Sequence, residues 1–291
     1  MDQRALPEQD FSVFADAVPF SGPARLRVTE AMTRLEAERL RVVRAMERGQ
    51  PVAARLLGRG GQEINRNLAR ELPAWRTLDS VKPGGSVERL AVSLPNNAFA
   101  MNAGLRMVSV WHRDALGPDV RLVLSGEDPE VYFFGYGPLE MKIVDGVEVL
   151  LEGPTVRNLT TVIGVRDAAC MAAARHYWDA VRATTYPCAA EEPPADGLTE
   201  RQRRVVALLL ICSSDEQIAR RLELSVRTVR TEVAVILDLL DAPTRFVAGF
   251  RLSERLSRLA SGPQPSSAAG CCNLPPTAPD SLLPCEDTEN S

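Results

Sequence analysis

The sequence predicts two folded parts: an α/β or α+β domain, helices plus a mixed sheet, over residues 23–187, and an all-α domain of four helices over 198–260. Three observations carry this expectation. Between Val87 and Val165 the chain runs as short, often alternating apolar segments broken by Gly, Pro, Asn or Asp, as strands do. Helical rhythms flank that region, Val28, Met32, Leu35, Val42 and Met46 before it and RDAACMAAARHYWDAVRAT after it. From Leu198 onward the apolar period stays at three to four, with helix caps at regular intervals.

Taken in order, residues 1–22 read as a flexible N-terminus, with Pro7 and Pro19 flanking FSVFADAV. Arg25 to Gly49 is helical, its stripe interrupted at Arg39; packing on its own domain and a dimerising coiled coil both stay open. AARLLGRGGQEINRNLARELPAW suggests two helical pieces around a glycine turn. Its GRGG (58–61) lacks the Lys-Ser/Thr that a phosphate loop needs. After KPGG (82–85), VERLAVSLP, LRMVSVWH, DVRLVLSG, VYFFGYG, LEMKIVDG, VEVLLEG and LTTVIGV read as strands, with Asp145-Gly146 at a hairpin turn. The helix RDAACMAAARHYWDAVRAT offers Ala173, Tyr177, Ala180 and Val181 as inward residues. CAAEEPPADG (188–197) then reads as an acidic, proline-bearing linker.

The C-terminal helices are marked by their caps. Leu198–Ile211 begins with a capping box, Thr199 with Gln202, and Ser214 and Gln217 form a second one ahead of QIARRL, whose Ile218, Ala219 and Leu222 turn inward. Ser225 caps the next helix, in which Val229, Val233, Ile236 and Leu240 form one apolar stripe. Thr244 caps a last helix, RFVAGFRLSERL. The second and third helices are joined by a tight turn, which is helix-turn-helix spacing, and the helix 225–240 is then the one that enters a major groove. Arginines near a helix N-terminus gain nothing from the dipole, so Arg227 and Arg230 make sense facing an anion.

LTERQ, QIARRLELSVRTVRTEV and the later TRF resemble the DNA-binding domain of LuxR-type transcription regulators over roughly residues 198–252. The resemblance implies base contacts from Arg230, Thr231 and Ala234, with Arg227, Thr228 and Arg245 near phosphates. Two positions depart from that pattern. Glu232 stands where a His is common, and Ala234 where a basic or polar residue is frequent. PLEMKIVDGVEVLL, the strand after it and the HYWDAV helix are similar to the degenerate phospholipase D-like module found ahead of such helices in some actinobacterial regulators. Aligned on Asp145, the nucleophilic His of active members is Pro138 and the Lys is Glu140. The resemblance therefore implies a sensor or interaction platform rather than a hydrolase.

Composition narrows the classes. Net charge is −4, yet residues 197–260 hold 11 Arg against 8 acids, so the excess positive charge sits in the proposed DNA domain. The excess is modest, which favours a dimer on a two-part site. The N-terminus lacks an apolar signal core, and the longest apolar run, VVALLLIC, is too short to span a bilayer, so a cytoplasmic location is expected. The six cysteines (170, 188, 212, 271, 272, 285) form no metal-ligand spacing with His112 or His176, so free thiols, no metal and no cofactor are expected. The proline- and serine-rich tail 261–291 reads as disordered. The expected function is a non-enzymatic, sequence-specific regulator binding double-stranded DNA as a homodimer, with an unidentified signal for the first domain. A phosphodiesterase fused to a DNA-binding domain, and a sigma-factor-like partner of RNA polymerase, are the alternatives.

Overall fold

A computed structural model of the chain describes residues 22–191, 197–212, 214–245, 247, 248 and 251. Its first part is a mixed eight-stranded sheet with helices on both faces. The elements run α1 (Gly22–Glu47), β1 (Ala54–Arg59), α2 (Gly60–Glu71), β2 (Thr77–Lys82), α3 (Val87–Asn102), β3 (Arg106–His112), α4 (Pro118–Ser125), β4 (Tyr132–Gly135), β5 (Met141–Val144), β6 (Glu148–Glu152), β7 (Thr161–Val165), α5 (Ala168–Arg182) and β8 (Tyr186–Pro187). Three further helices follow: α6 (Glu200–Ile211), α7 (Asp215–Arg221) and α8 (Val226–Leu239). The strand order is β1-β7-β6-β5-β2-β3-β4-β8. Strands β2, β3 and β4 are parallel, and every other neighbour pair is antiparallel.

Two segments expected as strands are helices. VERLAVSLP lies in α3 and DVRLVLSG in α4. Short apolar runs do not separate strand from buried helix by periodicity alone, and the deciding signals are the caps. The Ser86 hydroxyl accepts from the Arg89 N–H, and Leu90 and Leu94, four apart, are buried together while Val92 faces out. In α4, Pro118 fills the first helical turn, where its missing N–H costs nothing. These helices are the crossovers that let β2, β3 and β4 run parallel. In the opposite sense, ARLLGR is a strand paired with β7 instead of a helix, and GRGG is the junction from β1 into α2. The strand TLDSVK, not anticipated, is β2.

Other expectations hold. The Asp145-Gly146 pair turns β5 into β6, both residues at positive φ (52° and 66°), and Val147 N–H donates to Val144 C=O at 3.0 Å. The Asp145 carboxylate also accepts from the N–H groups of Arg76 and Thr77, both at 2.8 Å, which ties this hairpin to the start of β2. Helix α1 packs on α5 and the sheet, with Val28, Leu35 and Val42 buried among Cys170, Tyr177 and Val181. Of the inward residues expected in α5, Ala173, Tyr177 and Val181 are buried and Ala180 is partly so. Residues 188–191, expected to start the linker, are anchored: Cys188 is buried, and Glu191 accepts from Arg113 (2.8 Å), Arg121 (3.2 Å) and the Tyr186 hydroxyl (2.6 Å). Residues 1–21, linker residues 192–196, most of the last helix and the tail 261–291 lie outside the described residues.

The three C-terminal helices are packed onto the sheet domain. One apolar core runs from Leu57, Met107 and Phe134 through Leu90, Leu94 and Leu124 of α3 and α4 into Val205, Val206 and Leu208 of α6. It continues to Ile218 of α7 and to Val229, Val233 and Ile236 of α8.

Candidate nucleic-acid interface

The helices that position the interface are capped as their sequence requires. In α6 the box is complete, Thr199 Oγ1 accepting from Gln202 N–H (3.3 Å) and Gln202 Oε1 from Thr199 N–H (2.9 Å). Ser214 Oγ accepts from Gln217 N–H at the start of α7 (3.3 Å), which is the serine half of the expected box, and Ser225 Oγ accepts from Thr228 N–H at the start of α8 (3.0 Å). Between α7 and α8 the chain reverses through Glu223 at φ 54°, with Leu224 N–H reaching back to Ala219 C=O at 2.9 Å. A side chain in that left-handed well carries strain that the flanking packing of Leu222 and Leu224 holds in place.

The expected stripe of Val229, Val233, Ile236 and Leu240 is buried, and α8 packs on α6 and α7. Its front is exposed: Arg227, Arg230, Thr231 and Ala234 face solvent, as does Arg245 beyond the helix. Thr228 is half-buried, and its hydroxyl is engaged with Ser225 at 2.8 Å. The Thr231 hydroxyl donates to the Arg227 carbonyl one turn back (3.0 Å).

Two of these arginines are organised by a carboxylate. Asp215, in the first turn of α7, accepts from Arg230 Nε at 3.2 Å through one oxygen and from Arg245 at 2.9 Å through the other. Glu216 stands 3.8 Å from Arg230 as well. Burial disfavours the Asp215 anion, but the guanidiniums of Arg245 and Arg230 outweigh it and hold the carboxyl below its usual range. The Asp215 side chain is only 12% exposed, whereas Arg230 and Arg245 keep 65% and 49% of theirs. Two exposed cations thereby share one largely buried carboxylate. Asp215 was not singled out in the sequence; a first-turn acid one helix ahead of an arginine-bearing helix is the signal that marks it.

Glu232, which stands where the LuxR-type pattern commonly has a His, is 3.5 Å from Arg201 of α6, and its side chain is 17% exposed. It faces α6 because residue 232 lies next to the buried Val233 and Val229 side of the helix rather than in the front row. A second pair joins α7 to the sheet domain, Arg221 to Glu127 at 3.9 Å. Burial raises the Glu127 carboxyl and Arg221 opposes the rise.

The sheet domain presents a different electrostatic cluster. Glu140, at the position aligned with a catalytic lysine, lies between Lys82 (2.7 Å) and Lys142 (2.9 Å). Burial, then Lys142, pushes the Lys82 ammonium down to about 8. Burial works against Glu140, but the two lysines outweigh it and hold it near 2. The cluster neutralises much of its own charge. Burial also lowers His112, which stands edge-on to Tyr136 with ring centres 5.0 Å apart. The thiols of Cys170, Cys188 and Cys212 are free and pushed upward by burial. Among the described residues no group of three His, Cys, Asp or Glu gathers as a metal site, and no helix is long and apolar enough to cross a membrane.

No family model matches the chain, and no curated protein matches it. Among solved structures, TrmBL2, an archaeal chromatin protein whose structure is described as showing a novel mode of DNA binding, aligns over 56% of this chain and 66% of that one, at 13% identity and a TM-score of 0.34. This chain thus spans just under two thirds of that protein's length. A superposition that loose transfers neither fold nor role.

Proposed function

We propose that the chain is a non-enzymatic, sequence-specific DNA-binding regulator of transcription, acting as a homodimer, with α8 as its reading helix. The observation that carries this reading is the exposed row Arg227, Arg230 and Thr231 on a helix packed from behind by α6 and α7, with Arg230 and Arg245 both hydrogen-bonded to Asp215. Preorganised guanidiniums lose little freedom on meeting a phosphate or the O6 and N7 acceptors of guanine. The LuxR-type pattern of SVRTVRTEV supports the same assignment, with Arg230, Thr231 and Ala234 at base edges and Arg227, Thr228 and Arg245 along the backbone. The sheet domain serves as a sensor or interaction platform, in line with its resemblance to degenerate phospholipase D-like modules. Phosphodiester hydrolysis is disfavoured, because Pro138 offers no nucleophile and Glu140 is held as an anion. Selecting bound duplexes from a random pool with the whole protein tests the reading. A consensus should emerge, and Arg230→Ala should lose about 1–3 kcal/mol of discrimination between that site and a mismatched one. Recovery of no consensus would sink the proposal.

A further inference from the structure

Helix α1 ends in a left-handed residue, Gly49 (φ 62°), and Gln50 N–H reaches back to Ala45 C=O at 2.8 Å. That reversal brings Pro51 and Val52 beside the helix and leaves a cleft of about 450 Å³ lined by the C-terminal half of α1, residues 50–52 and Asp167, the N-cap of α5. The cleft is half open to solvent, and Arg41, Arg44 and Arg48 are exposed. Its walls carry three guanidiniums, Arg41, Arg44 and Arg48, against a single carboxylate, Asp167. Asp167 is already committed, since it binds Arg41 and accepts from the Cys170 N–H at 3.1 Å as the cap of α5. Arg41 is also held by Glu38 at 2.7 Å. Arg44 and Arg48 have no hydrogen-bond or ion-pair partner for their side chains among the described residues.

We infer that this cleft binds a small phosphate-bearing anion, gripped by Arg44 and Arg48 with Arg41 beside them. Arginines in the last turn of a helix do complement its dipole, and that accounts for their place in the sequence. It does not account for a concave wall that gathers them around unfilled space. The negative end of the α1 dipole opposes an anion here, but the positive end of α5 lies across the cleft and offsets it. Arg44 and Arg48 are four residues apart, so their side chains rise from one helix face about 5–6 Å from each other. Each fork presents five N–H donors. Two such forks exceed what one carboxylate can accept and suit the several oxygens of a phosphate or pyrophosphate group. A half-open cleft of this size admits a small anion directly to both forks.

Titration calorimetry on the full chain with inorganic pyrophosphate, at constant ionic strength and with acetate as comparator, tests this assignment. Saturable one-to-one binding is expected, weakened at least about tenfold by Arg44→Ala together with Arg48→Ala. Arg34→Ala, an exposed arginine on the same helix outside the cleft, should leave binding unchanged. Absence of saturation, equal loss in Arg34→Ala, or equal binding of acetate would overturn the proposal. So would a double variant that keeps pyrophosphate binding but loses duplex affinity, since the face would then belong to a nucleic-acid surface. Circular dichroism of each variant confirms that the helix remains folded.

Discussion

The two faces of the sheet bury their residues by different means. Toward α1 and α5, strand residues Val81, Val110, Phe133, Met141, Ile143 and Val149 meet an apolar core that ends at those two helices. On the other face the apolar residues gather under α3 and α4, while the antiparallel half carries charge. Arg55 binds Glu71 (2.6 Å) and the buried Glu148 (2.8 Å), and Glu140 bridges its two lysines. This second core does not stop at α3 and α4; it runs on through α6 to α8. The run VVALLLI is apolar nearly all round because α6 is covered on both sides, by the sheet domain's helices and by α7 and α8. The contrast teaches that the candidate reading helix stands on the sheet domain, while the arginine cleft occupies the opposite face.

The comparison breaks most directly through the shared core. Leu124→Ala, a fully buried change in α4, should lower stability by about 2–5 kcal/mol. In urea, the fluorescence of Trp75, Trp111 and Trp178, all in the sheet domain, should fall together with the far-UV dichroism of the helices. Two separated transitions would mean that the cores are not continuous. A smaller loss, about 1–3 kcal/mol, is expected for Arg221→Ala, which leaves Glu127 without its cation. Adding Glu127→Gln should recover most of that loss, and thermal melts of both variants decide it.

The smallest effect is a pH slope from the charged half of the sheet. Lys82 has a folded-state value near 8 against an ordinary 10.5, so between those values the unfolded chain binds more protons than the folded one. Stability should therefore rise as pH goes from about 8 to 10, by on the order of 1 kcal/mol after allowance for the partly exposed ammonium. Lys82→Met should flatten that slope in denaturation measured across the window. An unchanged slope would place the titrating group elsewhere.

Much of the C-terminal region was legible because caps and a single apolar stripe act within one helix: the Thr199 box, the Ser214 and Ser225 serine caps and the Val229–Leu240 stripe are all in place. Strands β3 to β7 and the Asp145-Gly146 turn were legible for the same local reason. The errors lie where tertiary context decides. VERLAVSLP alternates like a strand, yet Ser86 and the Leu90–Leu94 pair make it a helix, and ARLLGR becomes a strand only because β7 offers an edge. Asp215 was not legible as an organiser of Arg230 and Arg245, which stand 15 and 30 residues away in sequence. Nor was the arginine cleft, since Arg41, Arg44 and Arg48 look like a solvated helix end until the turn at Gly49 brings Pro51 and Val52 beside them.

A photo-crosslinking side chain placed at Ala234, on the exposed front of α8, tests the central claim most directly. Irradiated with the selected duplex, it should form a protein–DNA adduct that an excess of unlabelled site abolishes, while the same group at Arg34 on α1 should form none. Adducts from position 34 and none from 234 would show that DNA meets the opposite face and that α8 is not the reader.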